Sequence, residues 1–285
     1  MIDAIFFAPF SISSLFTNPY YPPLIQGICQ TCNRYDYTLA FFLASAKDDE
    51  KNIYTHIPNN GLLDGVLVQS GLNGDQEIIS HLKDAGIPQV VIGRPFRSDI
   101  VSFVNVDNED AANKAVSHLI SLGYQRIATI TGPSESTVGI DRRNGYLKAL
   151  NEHGMRVKQP LIAEGDFSEK SGYHAMQKLL HENPDAVFAA SDVMAIGAIR
   201  AINEVGLKVP DDIALVGFDD IPLLSVSEAE LTTVHQPIIQ LGEKAVELLY
   251  YQLENGTDAP RSIILDTELI IRTSSGSIKR VAYAP

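Results

Sequence analysis

The chain has 285 residues, room for about two domains at roughly 150 residues each, and its 22 Lys and Arg against 35 Asp and Glu give a net charge of −13, which disfavours direct binding to a phosphate backbone. At 45% hydrophobic and 20% charged residues it has the composition of a packed core rather than of a disordered chain. No apolar run reaches the ~18 residues of a membrane span, the start Met1-Ile2-Asp3-Ala4-Ile5-Phe6-Phe7 has no basic signal segment, and two cysteines make no disulfide framework, so a reduced, cytoplasmic protein is expected.

In chain order, short β-branched or aromatic runs alternate with helical periodicity. Strands are expected over residues 5–8, 39–44, 65–68 and 90–92, with a helix over 75–85. A helix over 111–122 leads to a strand over 127–130, then helices over 142–153 and 171–180. A strand over 186–189, a helix over 194–205, a strand over 213–216 and a helix over 239–253 follow, and 262–271 reads as a last strand. Strands that are apolar on both faces belong in a parallel sheet covered by helices on both sides. Gly86, Gly123, Gly154 and Gly206 each sit just past a helix end, where a C′ glycine belongs. Asp75 is placed to cap one helix, and Asp107 or Asn108 the next. Two successive β-α series, over 1–107 and 126–222, point to two doubly wound lobes.

The signatures of the common catalytic sites are missing: no G-x-S-x-G elbow, phosphate loop, G-x-G-x-x-G or H-E-x-x-H occurs. The seven histidines are scattered without metal-pair spacing, so no cofactor or metal is expected, nor an enzyme. Cys29-Gln30-Thr31-Cys32 has no second pair to complete a zinc site; it suits a redox pair, or, the better reading, two small residues on one face of the helix after Pro23. The sequon Asn255-Gly256-Thr257 reads as a polar loop.

Three features remain. Asn18-Pro19-Tyr20-Tyr21-Pro22-Pro23 follows the first strand, where a doubly wound lobe binds ligands, and its aromatics suit stacking on a sugar ring or a base, or a staple for the next helix. Arg142 opens a helix beside Arg143, a position opposed by the helix dipole, which suits a donor fork facing a cleft, or a salt bridge. Phe218-Asp219-Asp220-Ile221-Pro222 puts a carboxylate at a strand end, where it suits vicinal hydroxyls, or a turn cap, which fits Asp220 better.

Together these residues resemble the LacI/GalR family of bacterial transcription regulators. The matching stretches run nearly end to end. They include Asp64-Gly65-Val66-Leu67-Val68, Val91-Ile92-Gly93-Arg94-Pro95, Val106-Asp107-Asn108 and Leu122-Gly123-Tyr124-Gln125-Arg126-Ile127-Ala128. They continue through Gly165-Asp166-Phe167, Ala190-Ser191-Asp192 and Val209-Pro210-Asp211-Asp212-Ile213-Ala214-Leu215-Val216-Gly217-Phe218-Asp219-Asp220 to Gln236-Pro237. The resemblance implies an α/β core of the periplasmic-binding-protein type: two doubly wound parallel-sheet lobes joined by three crossovers near Asp107, Gln236 and Thr267, with a small effector in the cleft. The lobes would be residues 1–107 with 237–267, and 108–236 with 268–285.

The resemblance also assigns ligand contacts: Tyr20 and Tyr21 from the first loop, Arg94, the effector-binding Arg142, a stacking Phe167, Ser191 followed by Asp192, and the acceptor Asp219, with Phe10 and Ser70 on strand-end loops. One stacking face, one acceptor and one donor fork suit a neutral sugar; a purine or nucleoside is the alternative, as is a transport-type sugar-binding protein. The resemblance further implies a homodimer that controls operator DNA through a helix-turn-helix headpiece, which this chain does not contain, starting instead at the first strand of the core.

Overall fold

The structure is a computed structural model in which residues 4–8, 15, 17–41, 64–69, 75–222, 230–256 and 259–276 are described. The chain divides into two compact units, Met1–Val106 with Pro237–Leu265 and Asp107–Gln236 with Asp266–Pro285. Each unit is built on its own six-stranded sheet.

In the first unit the strands are β1 (Ala4–Ala8), β2 (Thr38–Phe41), β3 (Gly65–Gln69), β4 (Gln89–Ile92), β5 (Ser102–Val106) and β11 (Ser262–Leu265). They lie in the order β11-β5-β4-β3-β1-β2, every pairing parallel. The helices are α1 (Tyr21–Arg34), α2 (Asp75–Asp84) and α7 (Ile238–Asn255). Ile78, Ile79 and Leu82 of α2 bury themselves on Val66, Val68, Val91 and Phe103. Helices α1 and α7 approach so closely that a Cβ on Gly27 would stand 2.0 Å from the Ile239 carbonyl oxygen.

The second unit holds β6 (Ile127–Thr131), β7 (Ile162–Glu164), β8 (Ala186–Ala189), β9 (Ala214–Asp219), β10 (Thr232–His235) and β12 (Glu268–Ile270), in the order β12-β10-β9-β8-β6-β7. All are parallel except β12, which runs antiparallel to β10. Helices α3 (Asn108–Ser121) and α4 (Thr137–Glu152) cover one face, and α5 (Glu169–Leu180) and α6 (Asp192–Glu204) the other. The strand alternation shows this: Val187 and Leu215 join the α5–α6 layer while their neighbours Phe188 and Val216 join the α3–α4 layer.

The parallel α/β architecture expected of the sequence is present. Gly86, Gly123, Gly154 and Gly206 all take positive φ at helix ends. Asp107, rather than Asn108, caps α3, its Oδ1 accepting from the Asp110 N–H at 2.9 Å. Three expectations need correction. Residues 262–271 form two strands, not one, and the halves pair in different sheets. Strands β5, β7 and β10 were not expected: Ser102 and Asn105 break the apolar pattern of β5, Thr232 and Thr233 that of β10, and β7 is only three residues ending in Glu164. Helix α4 begins at Thr137, five residues before Arg142. Residues 42–44 of the second expected strand lie outside the described residues.

Candidate functional site

Arg142 and Asp219 form a buried ion pair at the carboxyl end of the second sheet. Asp219 is the last residue of β9, and Arg142 sits in the second turn of α4, with 7% and 4% of their surfaces exposed. Because α4 starts earlier than its apolar pattern suggests, Arg142 escapes the unfavourable end of the helix dipole. The Arg142 Nη1 donates to the Ala190 carbonyl at 2.6 Å and to Asp219 Oδ1 at 3.3 Å, and Nε donates to Asn108 Oδ1 at 2.8 Å. Its guanidinium also lies 3.6 Å from the ring centre of Phe218. Gln236 Nε2 donates to the same Asp219 Oδ1 at 2.6 Å. Backbone geometry contributes: Asp219 (φ 122°) and Asp220 (φ 55°) both adopt positive φ, which turns the chain sharply after β9.

Asp192, the first residue of α6, is 1% exposed. Its Oδ1 accepts from the Thr233 hydroxyl at 2.6 Å and its Oδ2 from the Ile221 N–H at 3.1 Å. Burial, and then the charge of Asp219, push the Asp192 carboxyl well above the usual carboxylate range. Burial raises Asp219 as well, against the pull of Arg142 and Gln236. Of the two buried carboxyls only Asp219 is paired with Arg142, and Asp192, which has no such partner, is the more strongly raised. Gly217 makes room for it: a Cβ there would stand 2.2 Å from Asp192 Oδ1.

Ser191 precedes Asp192 and caps α6, its Oγ accepting from the Met194 N–H at 3.2 Å. Phe167 follows β7 with φ 66°, a strained conformation for an aromatic residue, and its ring lies where a Cβ on Gly132 would be, at 2.2 Å. Gly132, Phe167, Ser191 and Asp219 thus follow or end β6, β7, β8 and β9, at the carboxyl edge where open α/β sheets bind ligands.

The first unit carries the other assigned residues. Tyr20 is half-buried before α1, and its ring meets that of Tyr21 edge-on at 5.6 Å. Tyr21 is 6% exposed, so its ring belongs mainly to the interior. Arg94 is half-buried just past β4. Phe10 and Ser70 lie outside the described residues. Asn108 and Gln236, which hold Arg142 and Asp219, were not assigned to the site from the sequence. Each sits beside a chain crossing between units, and nothing in residue type marks such an amide as a brace.

Asp220 is tied away from this group, accepting from Arg272 Nη2 at 2.7 Å and meeting His235 Nδ1 at 3.0 Å. Among the described residues no three His, Cys, Asp or Glu side chains gather as a metal site, and no helix is long and apolar enough to cross a membrane.

Comparison with known proteins places this geometry in a family. A model of the periplasmic binding protein-like domain matches residues 116–275. The transcriptional regulator CelR of Thermobifida fusca is 34% identical over 264 residues, covering 91% of this chain and 77% of that protein. The transcriptional repressor CytR of Escherichia coli strain K12 is 34% identical over 265 residues, covering 92% and 77%. Among solved structures, that of a CelR–cellobiose complex has a TM-score of 0.90 at 31% identity, covering 95% of this chain and 84% of that one. A LacI regulator from Bacillus cereus has a TM-score of 0.91 at 29% identity, covering 96% and 98%.

Proposed function

Because this chain belongs to the LacI family of transcriptional regulators and carries its effector-binding core, we propose that its effector is a small neutral sugar held at the carboxyl edge of the second sheet. The observation that carries this reading is the buried Arg142–Asp219 pair beside Phe167. Asp219 accepts from vicinal hydroxyls, Arg142 donates to a ring or hydroxyl oxygen, and the Phe167 ring covers an apolar sugar face. The ion pair is already formed, so it presents a neutral site and favours a neutral ligand over a phosphorylated one. The CelR structure, a cellobiose complex, supports the choice of a sugar.

Tyr20 and Arg94 are kept as proposed ligand contacts. Ser191 stands next to the pair, whereas Asp192 acts as a brace, since both its oxygens are held by Thr233 and Ile221. The relatives carry names of regulators, not of enzymes, and the sugar acts here as a signal rather than as a substrate. The regulator in this proposal is a homodimer in which effector binding sets operator affinity by favouring one arrangement of the two units.

The test is a dye-detected thermal-shift panel of mono- and disaccharides, nucleosides and nucleobases; dye detection is needed because the chain has no Trp. A ligand at 100 times its Kd adds ~2.7 kcal/mol of stability. A shift with a neutral sugar that disappears in Phe167→Ala supports the proposal. A shift with nucleosides or nucleobases alone overturns the sugar reading, and a sugar shift that survives Phe167→Ala overturns the site.

A further inference from the structure

Phe167 lies in the turn between β7 and α5, half-buried, and packs against the α5–α6 layer of the second unit. Two constraints fix its ring. The first is the turn itself. The Ser168 N–H donates to Asp166 Oδ1 at 2.9 Å, the Asp166 N–H donates to Ser171 Oγ at 2.9 Å, and the Ser171 hydroxyl donates to the Ser168 carbonyl at 2.9 Å. With φ at 66°, this closed turn leaves Phe167 little freedom of backbone.

The second constraint is Gly132, just past β6. A Cβ there would stand 2.2 Å from Cζ and 2.7 Å from Cε1 of Phe167, and 3.0 Å from Gly139 Cα in the first turn of α4. The far edge of the ring therefore rests directly on the Gly132 backbone. That backbone cannot retreat, because α4 stands against it: a Cβ on Gly139 would lie 2.9 Å from the Gly132 carbonyl carbon and 2.4 Å from the Pro133 carbonyl oxygen. The Thr131 hydroxyl also donates to the Gly132 carbonyl at 2.9 Å. Gly132 is buried and does not take positive φ, so its missing side chain answers to the ring and to α4, not to a backbone angle.

We propose that Gly132 is a positioning residue of the ligand site: its bare Cα is the seat that fixes where Phe167 presents its open ring face. This rests on the sugar reading, in which that face covers an apolar side of the ligand. A side chain at 132 has to lift the ring from 2.2 Å to an ordinary contact of 3.4 Å or more, a displacement of more than about 1 Å, whereas a binding constellation tolerates about 0.5 Å. The colliding atoms are the far end of one side chain, so the ring yields and the sheet stays in place.

Crystal structures and sugar titrations of Gly132→Ala, Phe167→Leu and the double variant test this. Phe167→Leu lacks the two ring atoms that meet a Cβ at 132. The titrations use the neutral sugar that stabilises the wild type in the thermal-shift panel, with cellobiose as the first probe. In Gly132→Ala the ring is expected to leave its seat and the sugar affinity to fall by ~10-fold or more. In the Phe167→Leu background the same change should cost no further affinity. An unmoved ring overturns the seat. A moved ring with unchanged affinity overturns the positioning role, and leaves the sugar site standing if Phe167→Leu weakens binding. Equal weakening by Gly132→Ala in both backgrounds also overturns it, because Gly132 then acts without the ring. If Gly132→Ala does not fold, the double variant must; an unfolded double variant overturns the proposal. A wild type that binds no sugar, or a Phe167→Leu variant that binds as the wild type does, overturns the sugar site and this role with it. The crystal structures need no ligand and so keep failure of the seat separate from failure of the sugar reading.

Discussion

Gln236 donates to Asp219 at 2.6 Å, on the same oxygen that meets Arg142. Gln236 is the last residue before the chain leaves the second unit, and Asn108, which accepts from Arg142 Nε, is the second residue after the chain enters it. The proposed ligand-binding pair is thus hydrogen-bonded on both sides to residues at chain crossings. A ligand that competes for Arg142 or Asp219 alters bonds at those crossings directly. Coupling of binding to lobe arrangement needs such a differential contact.

Arg142→Met is expected to destabilise the chain by about 3–5 kcal/mol, because it leaves Asp219 buried without its cation. Urea unfolding followed by circular dichroism measures this. Arg142→Lys should recover only part of the loss, since an ammonium does not reach Asn108, Ala190 and Asp219 from one plane. A wild-type midpoint for Arg142→Met would show that the pair does not hold this part of the fold together.

Asp192 gives a pH prediction. Its carboxyl is raised in the folded state by burial and by Asp219. The folded state therefore holds this proton more tightly than the unfolded chain does. As pH climbs above the unfolded value, roughly 4, toward the raised folded value, the wild type loses stability. Asp192→Asn removes that loss and keeps the contacts, its oxygen accepting from Ile221 N–H and its amide donating to Thr233. Its stability relative to wild type should rise from pH 4 to pH 7 in urea melts. Asp192→Ala, which strands the Ile221 N–H, should instead cost about 1–3 kcal/mol.

How much of this was legible in the sequence differs by element. Strands β3, β6 and β8 are buried on both faces and read as unbroken apolar runs. Strand β10 pairs in parallel with β9, yet its polar Thr232 and Thr233 hid it; both hydroxyls bond inside the unit, to the Arg272 carbonyl and to Asp192. The split between β11 and β12 left no mark, because apolar spacing does not reveal which sheet a residue joins. Arg142 and Asp219 stood out singly as a donor and an acceptor, but their pairing depends on α4 and β9 meeting, at a separation of 77 residues.

Glycines separate steric space from backbone angle. A Cβ on Gly197 would stand 2.0 Å from the Glu169 carbonyl oxygen, where α5 and α6 touch. Gly197→Ala must push two helices apart and should cost about 1–3 kcal/mol or more. At Gly154 a Cβ meets nothing within 4 Å, but φ is +66°, so Gly154→Ala should cost only about 1 kcal/mol. Equal midpoints for the two variants in urea melts would contradict the close α5–α6 packing.

Cys29 and Cys32 test whether the C-x-x-C is redox machinery. Cys29 is exposed, while Cys32 is buried in α1 and its thiol is pushed up to about 12, first by burial. The thiolate is the reactive form. At pH 8 a thiol-reactive dye should therefore label one cysteine per chain quickly, and the second only after unfolding. The attacking thiol of a redox pair must be accessible, which Cys32 is not. Rapid labelling of both cysteines in the folded chain would contradict this placement of Cys32 and reopen the redox reading. Slow labelling of Cys32 leaves it as a packing residue among the buried side chains of α1.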